Sequence, residues 1–126
     1  MHFIISVNTL KMLIVYHNPR CAKSREAIKW LEERNIPFQI KRYLDEPLTF
    51  EEVEKLVELA GFHTIDIMRT NEQVWKKKYA ELELDDNELI YAIIEDPILM
   101  QRPIVYNPEK DLAVIARPAD KIQEIL

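Results

Sequence analysis

Apolar residues fall along this chain in short blocks whose spacing alternates between the period of two that marks strands and the period of 3.6 that marks helices. Met12 to Tyr16 is an apolar, β-branched run that stops at Asn18-Pro19, which predicts a buried strand closed by turn residues. From Ala22 to Asn35, Ala27, Ile28 and Leu31 recur at helical spacing among Lys, Arg and Glu. This predicts an amphipathic helix that begins at Cys21 and is ended by Pro37. Phe38 to Leu44 alternates and predicts a second strand. Strand, helix and strand within about 30 residues is the order of a right-handed parallel crossover.

Thr49 with Glu52 three positions on forms a capping box, and Phe50, Val53, Leu56 and Val57 give the helix behind it an apolar face. Gly61, the one glycine in the chain, stands where a helix C-terminus calls for a left-handed residue. Helical signals continue through Val74, Trp75 and Tyr79, and a further helix from about Asp86 turns Leu89, Ile90, Ile93 and Ile94 inward before Pro97 stops it. This middle region reads as a helical insertion. Pro103 to Tyr106 and Leu112 to Ala116, joined by Asn107-Pro108-Glu109-Lys110-Asp111, predict a β-hairpin. Pro118 opens a last helix with Ile122, Ile125 and Leu126 on one face.

The order β-α-β, helical insert, β-β-α predicts an α/β fold with a four-stranded mixed sheet. At 126 residues, 48% hydrophobic and 31% charged, the chain has the size and apolar content of one folded domain. Residues 1–11 read as an N-terminal extension outside the core, with an added edge strand as the alternative and Met12 a candidate start, and they lack the basic leader of a signal peptide. No apolar run is long enough to span a bilayer, so a soluble protein is expected. The net charge of -5 disfavours nucleic acid and anionic membrane as partners, and requires any anion site to be built locally. One cysteine excludes an internal disulfide and a four-cysteine metal site, and fits a reducing, cytoplasmic setting.

That cysteine is where chemistry concentrates. A lone cysteine is often an inert hydrophobe. Cys21, however, follows a strand end and a proline turn and precedes a helix, where unpaired N–H groups and the positive helix terminus favour a thiolate. Arg20, Lys23 and Arg25 add positive charge, so a lowered thiol pKa is expected from two independent causes. Ser24 takes the place of the second cysteine of a Cys-x-x-Cys motif; its hydroxyl is either a donor to the thiolate or a first-turn helix residue. His17 is either a structural strand-end residue or a group that tunes the thiolate, and Asn18 either a turn former or a shaper of the site. Arg69, Arg102 and Arg117 each stand at an element end, and spacing alone leaves open whether they are solvated or join one site.

The stretches YHNPRCAKSR, IMRTNE, DPILMQRPIV and IARPADKIQEIL, in this order and spacing, resemble the glutaredoxin-coupled arsenate reductases of the ArsC/Spx-like family. The likeness covers about Met12 to Leu126 and is closest to the NPRCxKSR subgroup. It implies a thioredoxin-like fold in a single domain over 12–126. It also implies that Cys21 is the nucleophile, that Arg69, Arg102 and Arg117 hold the oxyanion, and that His17, Ser24 and Arg25 shape the site. A delocalised tetrahedral anion suits planar, permanently charged guanidinium groups. In such a sheet Arg102-Pro103 is expected as a cis peptide with Pro103 beside Cys21.

The implied reaction is attack of the Cys21 thiolate on As(V), loss of water, capture of the adduct by glutathione and release of arsenite with glutaredoxin. No metal or bound cofactor is implied; glutathione is a co-substrate, and the single cysteine itself calls for an external thiol. Two alternatives share the fold: a glutathione-dependent thiol reductase with another substrate, and an Spx-like regulator that docks on RNA polymerase. Spx proteins typically carry Cys-x-x-Cys without the full arginine set, so Cys21 with Ser24 and the three arginines favours the enzyme.

Overall fold

Strand β1 (Leu13–Tyr16) buries Leu13 and Val15 in a cluster completed by Ala27, Trp30 and Leu31 of helix α1 (Ala22–Glu33). The computed structural model describes residues 12–61 and 63–126, so the predicted extension at 1–11 lies outside the described residues. Strand β2 (Phe38–Lys41) pairs parallel with β1, as the crossover pattern predicts. Strand β3 (Ile104–Asn107) pairs antiparallel with β1, and β4 (Leu112–Ile115) antiparallel with β3. The sheet order is β2-β1-β3-β4. Val105, Ala116 and, from the closing 3-10 helix Ala119–Ile125, Ile122 and Ile125 complete the apolar cluster. This is the four-stranded mixed sheet of a thioredoxin-like fold. The expected last helix is therefore 3-10 throughout.

Two predicted boundaries move, each for a local reason. Helix α1 ends at Glu33 instead of Asn35, because Asn35 takes a left-handed φ of 54°, a conformation asparagine tolerates better than most residues. The Asn35 N–H donates to the Glu32 carbonyl and the Ile36 N–H to the Leu31 carbonyl, each at 3.1 Å, which is the Schellman pattern. Strand β2 stops at Lys41 instead of Leu44, since its partner β1 ends opposite at Tyr16 and the His17 N–H to Lys41 carbonyl bond at 3.0 Å is the last rung.

The chain divides into two compact units, one of residues up to Arg42 with Arg102–Leu126, the other Tyr43–Gln101. The second holds α2 (Phe50–Ala60), a 3-10 turn at Thr64–Ile67, α3 (Gln73–Lys78), α4 (Asp86–Glu95) and a 3-10 turn at Pro97–Leu99. The Thr49/Glu52 capping box forms as expected, and Asp85/Glu88 makes a second one at the start of α4. Gly61 departs from expectation. Its φ of -141° is extended, and a Cβ there would meet Asp66 Cβ at 3.2 Å and the His63 carbonyl at 3.4 Å. The glycine serves close approach of the next turn, not a left-handed cap. No helix among the described residues is long and apolar enough to cross a membrane.

Candidate active site

The turn between β1 and α1 is stitched by its own side chains. The buried Asn18 accepts the Cys21 N–H on its carbonyl at 2.9 Å and the Arg20 N–H on Oδ1 at 3.0 Å, and its own N–H donates to Ser24 Oγ at 3.3 Å. Arg25 Nη1 donates to the Pro19 carbonyl at 2.9 Å. Asn18, Ser24 and Arg25 thus build the loop that presents Cys21. The Ser24 hydroxyl takes a loop N–H, and what Ser24 offers the sulfur is its backbone N–H.

Cys21 is the N-cap residue of α1 and is partly exposed. Burial pushes its thiol pKa up, but this is outweighed by the Ser24 N–H, the Arg102 guanidinium and the Lys23 N–H, which together lower it to about 7. Cys21 makes no side-chain capping hydrogen bond, and the neighbouring donors stabilise its ionised form. His17 is buried, and burial with the charges of Arg42 and Arg25 lowers its pKa below the ordinary histidine value. A neutral His17 brings no positive charge to the thiolate.

Arg102 is buried beside Cys21 and joined to Pro103 by a cis peptide, as expected; Arg117-Pro118 is also cis. Arg117 Nη1 donates to the Arg102 carbonyl at 2.9 Å, so one arginine braces the backbone of the other. The Pro103 carbonyl accepts the Ala116 N–H at 2.9 Å, tying β3 to the end of β4. Cys21, Arg102 and Arg117 therefore belong to one bonded neighbourhood although they are far apart in sequence.

Arg69 belongs to the second unit. Its backbone is pinned by the Met68–Met100 bridge, with the Arg69 N–H on the Leu99 carbonyl at 2.7 Å and the Gln101 N–H on the Ile67 carbonyl at 2.8 Å. Its side chain donates from Nε to Glu72 at 3.0 Å and from Nη1 to Gln101 at 3.3 Å. Neither partner was singled out from sequence. Glu72 had a signal, an acid three positions after an arginine in a short turn, whereas Gln101 lies 32 positions away and had none.

Residues 16–125 match the ArsC family, and the chain belongs to it. An arsenate reductase of Haemophilus influenzae is 37% identical over 116 residues, covering 90% of this chain and 98% of the relative. The structure of an arsenate reductase from Vibrio cholerae superposes with a TM-score of 0.84 at 34% identity, covering 92% of this chain and 98% of that one. The global transcriptional regulator Spx of Enterococcus faecalis is 36% identical over 104 residues, covering 82% of this chain and 78% of the regulator.

Proposed function

We propose that this protein is a cytoplasmic oxidoreductase that reduces arsenate to arsenite, with Cys21 as nucleophile, Arg69, Arg102 and Arg117 as oxyanion ligands, and glutathione with glutaredoxin as external reductant. The observation that carries the reading is the Cys21 sulfur at the N-terminus of α1 with its pKa lowered to about 7 and the buried Arg102 beside it. A thiolate at that point attacks As(V) and expels water, while guanidinium N–H groups take the charge on the remaining oxygens. Reduction of As(V) to As(III) needs two electrons, and a chain with one cysteine cannot supply them by closing its own disulfide. Glutathione and a glutaredoxin thiol complete the step in this reading, and a reducing compartment keeps Cys21 free. Arg69 enters through its match to the family's sequence pattern, as does the treatment of residues 12–126 as one functional domain. The relatives named arsenate reductase support the substrate.

The test is coupled arsenate reduction with glutathione and glutaredoxin. Cys21→Ser abolishes turnover, and Arg69→Ala, Arg102→Ala and Arg117→Ala each lower kcat/KM roughly tenfold to a hundredfold, the scale of one lost charge-assisted contact. Lysine at each position restores only part, because the two-pronged donor is lost. Wild-type turnover matched by all three alanine variants removes the anion-pocket assignment. An inactive wild type shifts the reading to a glutathione-dependent reductase of another substrate. The similarity to Spx supports a second reading, docking on RNA polymerase, for which a polymerase pull-down is the discriminating measurement.

A further inference from the structure

The RTNE turn contains an acid that the anion-binding reading leaves without a role. The Glu72 N–H donates to the Arg69 carbonyl at 3.2 Å, which closes the turn and sets the two side chains together. Arg69 Nε then donates to Glu72 Oε2 at 3.0 Å, with the side chains only 17% and 23% exposed. Such a pair is screened far less than one on the open surface. Gln101 Oε1 takes Nη1 from the opposite side of the turn at 3.3 Å. The guanidinium is thus gripped by one charged and one neutral acceptor, each engaging part of a five-donor fork.

We propose that Glu72 is a positioning residue that sets how strongly Arg69 draws an oxyanion. It holds the guanidinium in place, and its charge opposes that of any anion the remaining donors receive. The inference rests on the reading of Arg69 as an anion ligand. Its physical core is that the two effects of one carboxylate pull in opposite directions. The grip favours binding by keeping the fork oriented, while the negative charge weakens it by like-charge repulsion. The two effects separate on substitution, because glutamine keeps an oxygen acceptor for Nε and removes the charge, whereas alanine removes both.

The experiment is calorimetric titration of arsenate into protein carrying Cys21→Ser, which cannot react. Adding Glu72→Gln tightens arsenate binding roughly three- to tenfold, the scale of one relieved repulsion across a partly screened gap. That gain shrinks as salt is raised, which a change in packing alone would not produce. Adding Glu72→Ala gives weaker binding than Glu72→Gln. Glutamine binding no tighter than the Cys21→Ser parent, or alanine equal to glutamine, overturns the proposal. Should Glu72→Gln fail to fold, Glu72→Asp carries the test: its shorter carboxylate keeps the charge but withdraws from Nε and binds arsenate more weakly than the parent, and equal or tighter binding overturns the inference. A Cys21→Ser parent that binds no arsenate overturns the anion-site reading itself and this inference with it. A parent that binds while its Glu72 variants behave alike overturns this inference alone.

Discussion

At the scale of single residues, the proposed chemistry turns on a sulfur whose pKa, lowered to about 7, places it near half ionisation at neutral pH. That is close to the optimum for an attacking thiol, since a lower pKa would yield more thiolate of poorer nucleophilicity. Because burial alone raises the value, the lowering must come from donors, and among them Arg102 contributes both a hydrogen bond and a charge. Iodoacetamide alkylation of the wild type therefore rises with pH through a midpoint near 7, and in Arg102→Ala the midpoint moves upward toward the ordinary thiol value of 9.0. An unmoved midpoint removes Arg102 from the thiolate's surroundings. His17 lies close in sequence but contributes no charge, since its lowered pKa leaves the imidazole neutral at pH 7.

The elements differ in how their helix N-termini are used. Helices α2 and α4 each have a capping box and acidic residues in the first turn, which satisfy the end N–H groups and the helix dipole for stability. Helix α1 has no acid in its first turn and no side-chain cap bond, so its N-terminus is left to the Cys21 sulfur. This contrast predicts opposite outcomes for two substitutions followed by urea denaturation. Thr49→Ala lowers stability by about 1 kcal/mol, the usual cost of a lost N-cap. Cys21→Ser leaves stability unchanged or raises it, because serine is among the preferred N-cap residues. A Cys21→Ser protein less stable than wild type assigns the cysteine a packing role instead.

Across the whole molecule, the net charge of -5 conceals an uneven distribution. The unit holding Cys21 carries twelve Lys and Arg against seven Asp and Glu, whereas the inserted unit carries five against fifteen. Of the proposed anion ligands, Arg102 and Arg117 lie in the basic unit and Arg69 in the acidic one, so the field at Cys21 in this reading is local and screened by salt. Cys21 is accordingly expected to react with anionic iodoacetate, relative to neutral iodoacetamide, faster than a free thiol does. The preference falls as salt is raised and disappears in Arg102→Ala. A ratio no higher than that of free cysteine shows that the overall charge dominates after all.

What the sequence determined by itself was mostly what depends on near neighbours. The blocks of apolar spacing define the strands and helices, the Thr49/Glu52 box opens α2, and a cysteine falls between a strand end and a helix start. These are legible because the forces involved act over three or four residues. The finer backbone states were less so, since Asn35, expected within the helix, is left-handed, and Gly61, expected left-handed, is extended where the next turn approaches closely. Only the tertiary structure decided that Arg102 meets the Cys21 sulfur, that Arg117 braces the Arg102 carbonyl, that the Ser24 hydroxyl serves Asn18, and that Gln101 reaches Arg69. Apart from the Asn18–Ser24 bond within one loop, those contacts need segments far apart in sequence to be brought together, by sheet order or by the Met68–Met100 bridge. The partner of an arginine is set by where its fork can reach in space, which no spacing along the chain records.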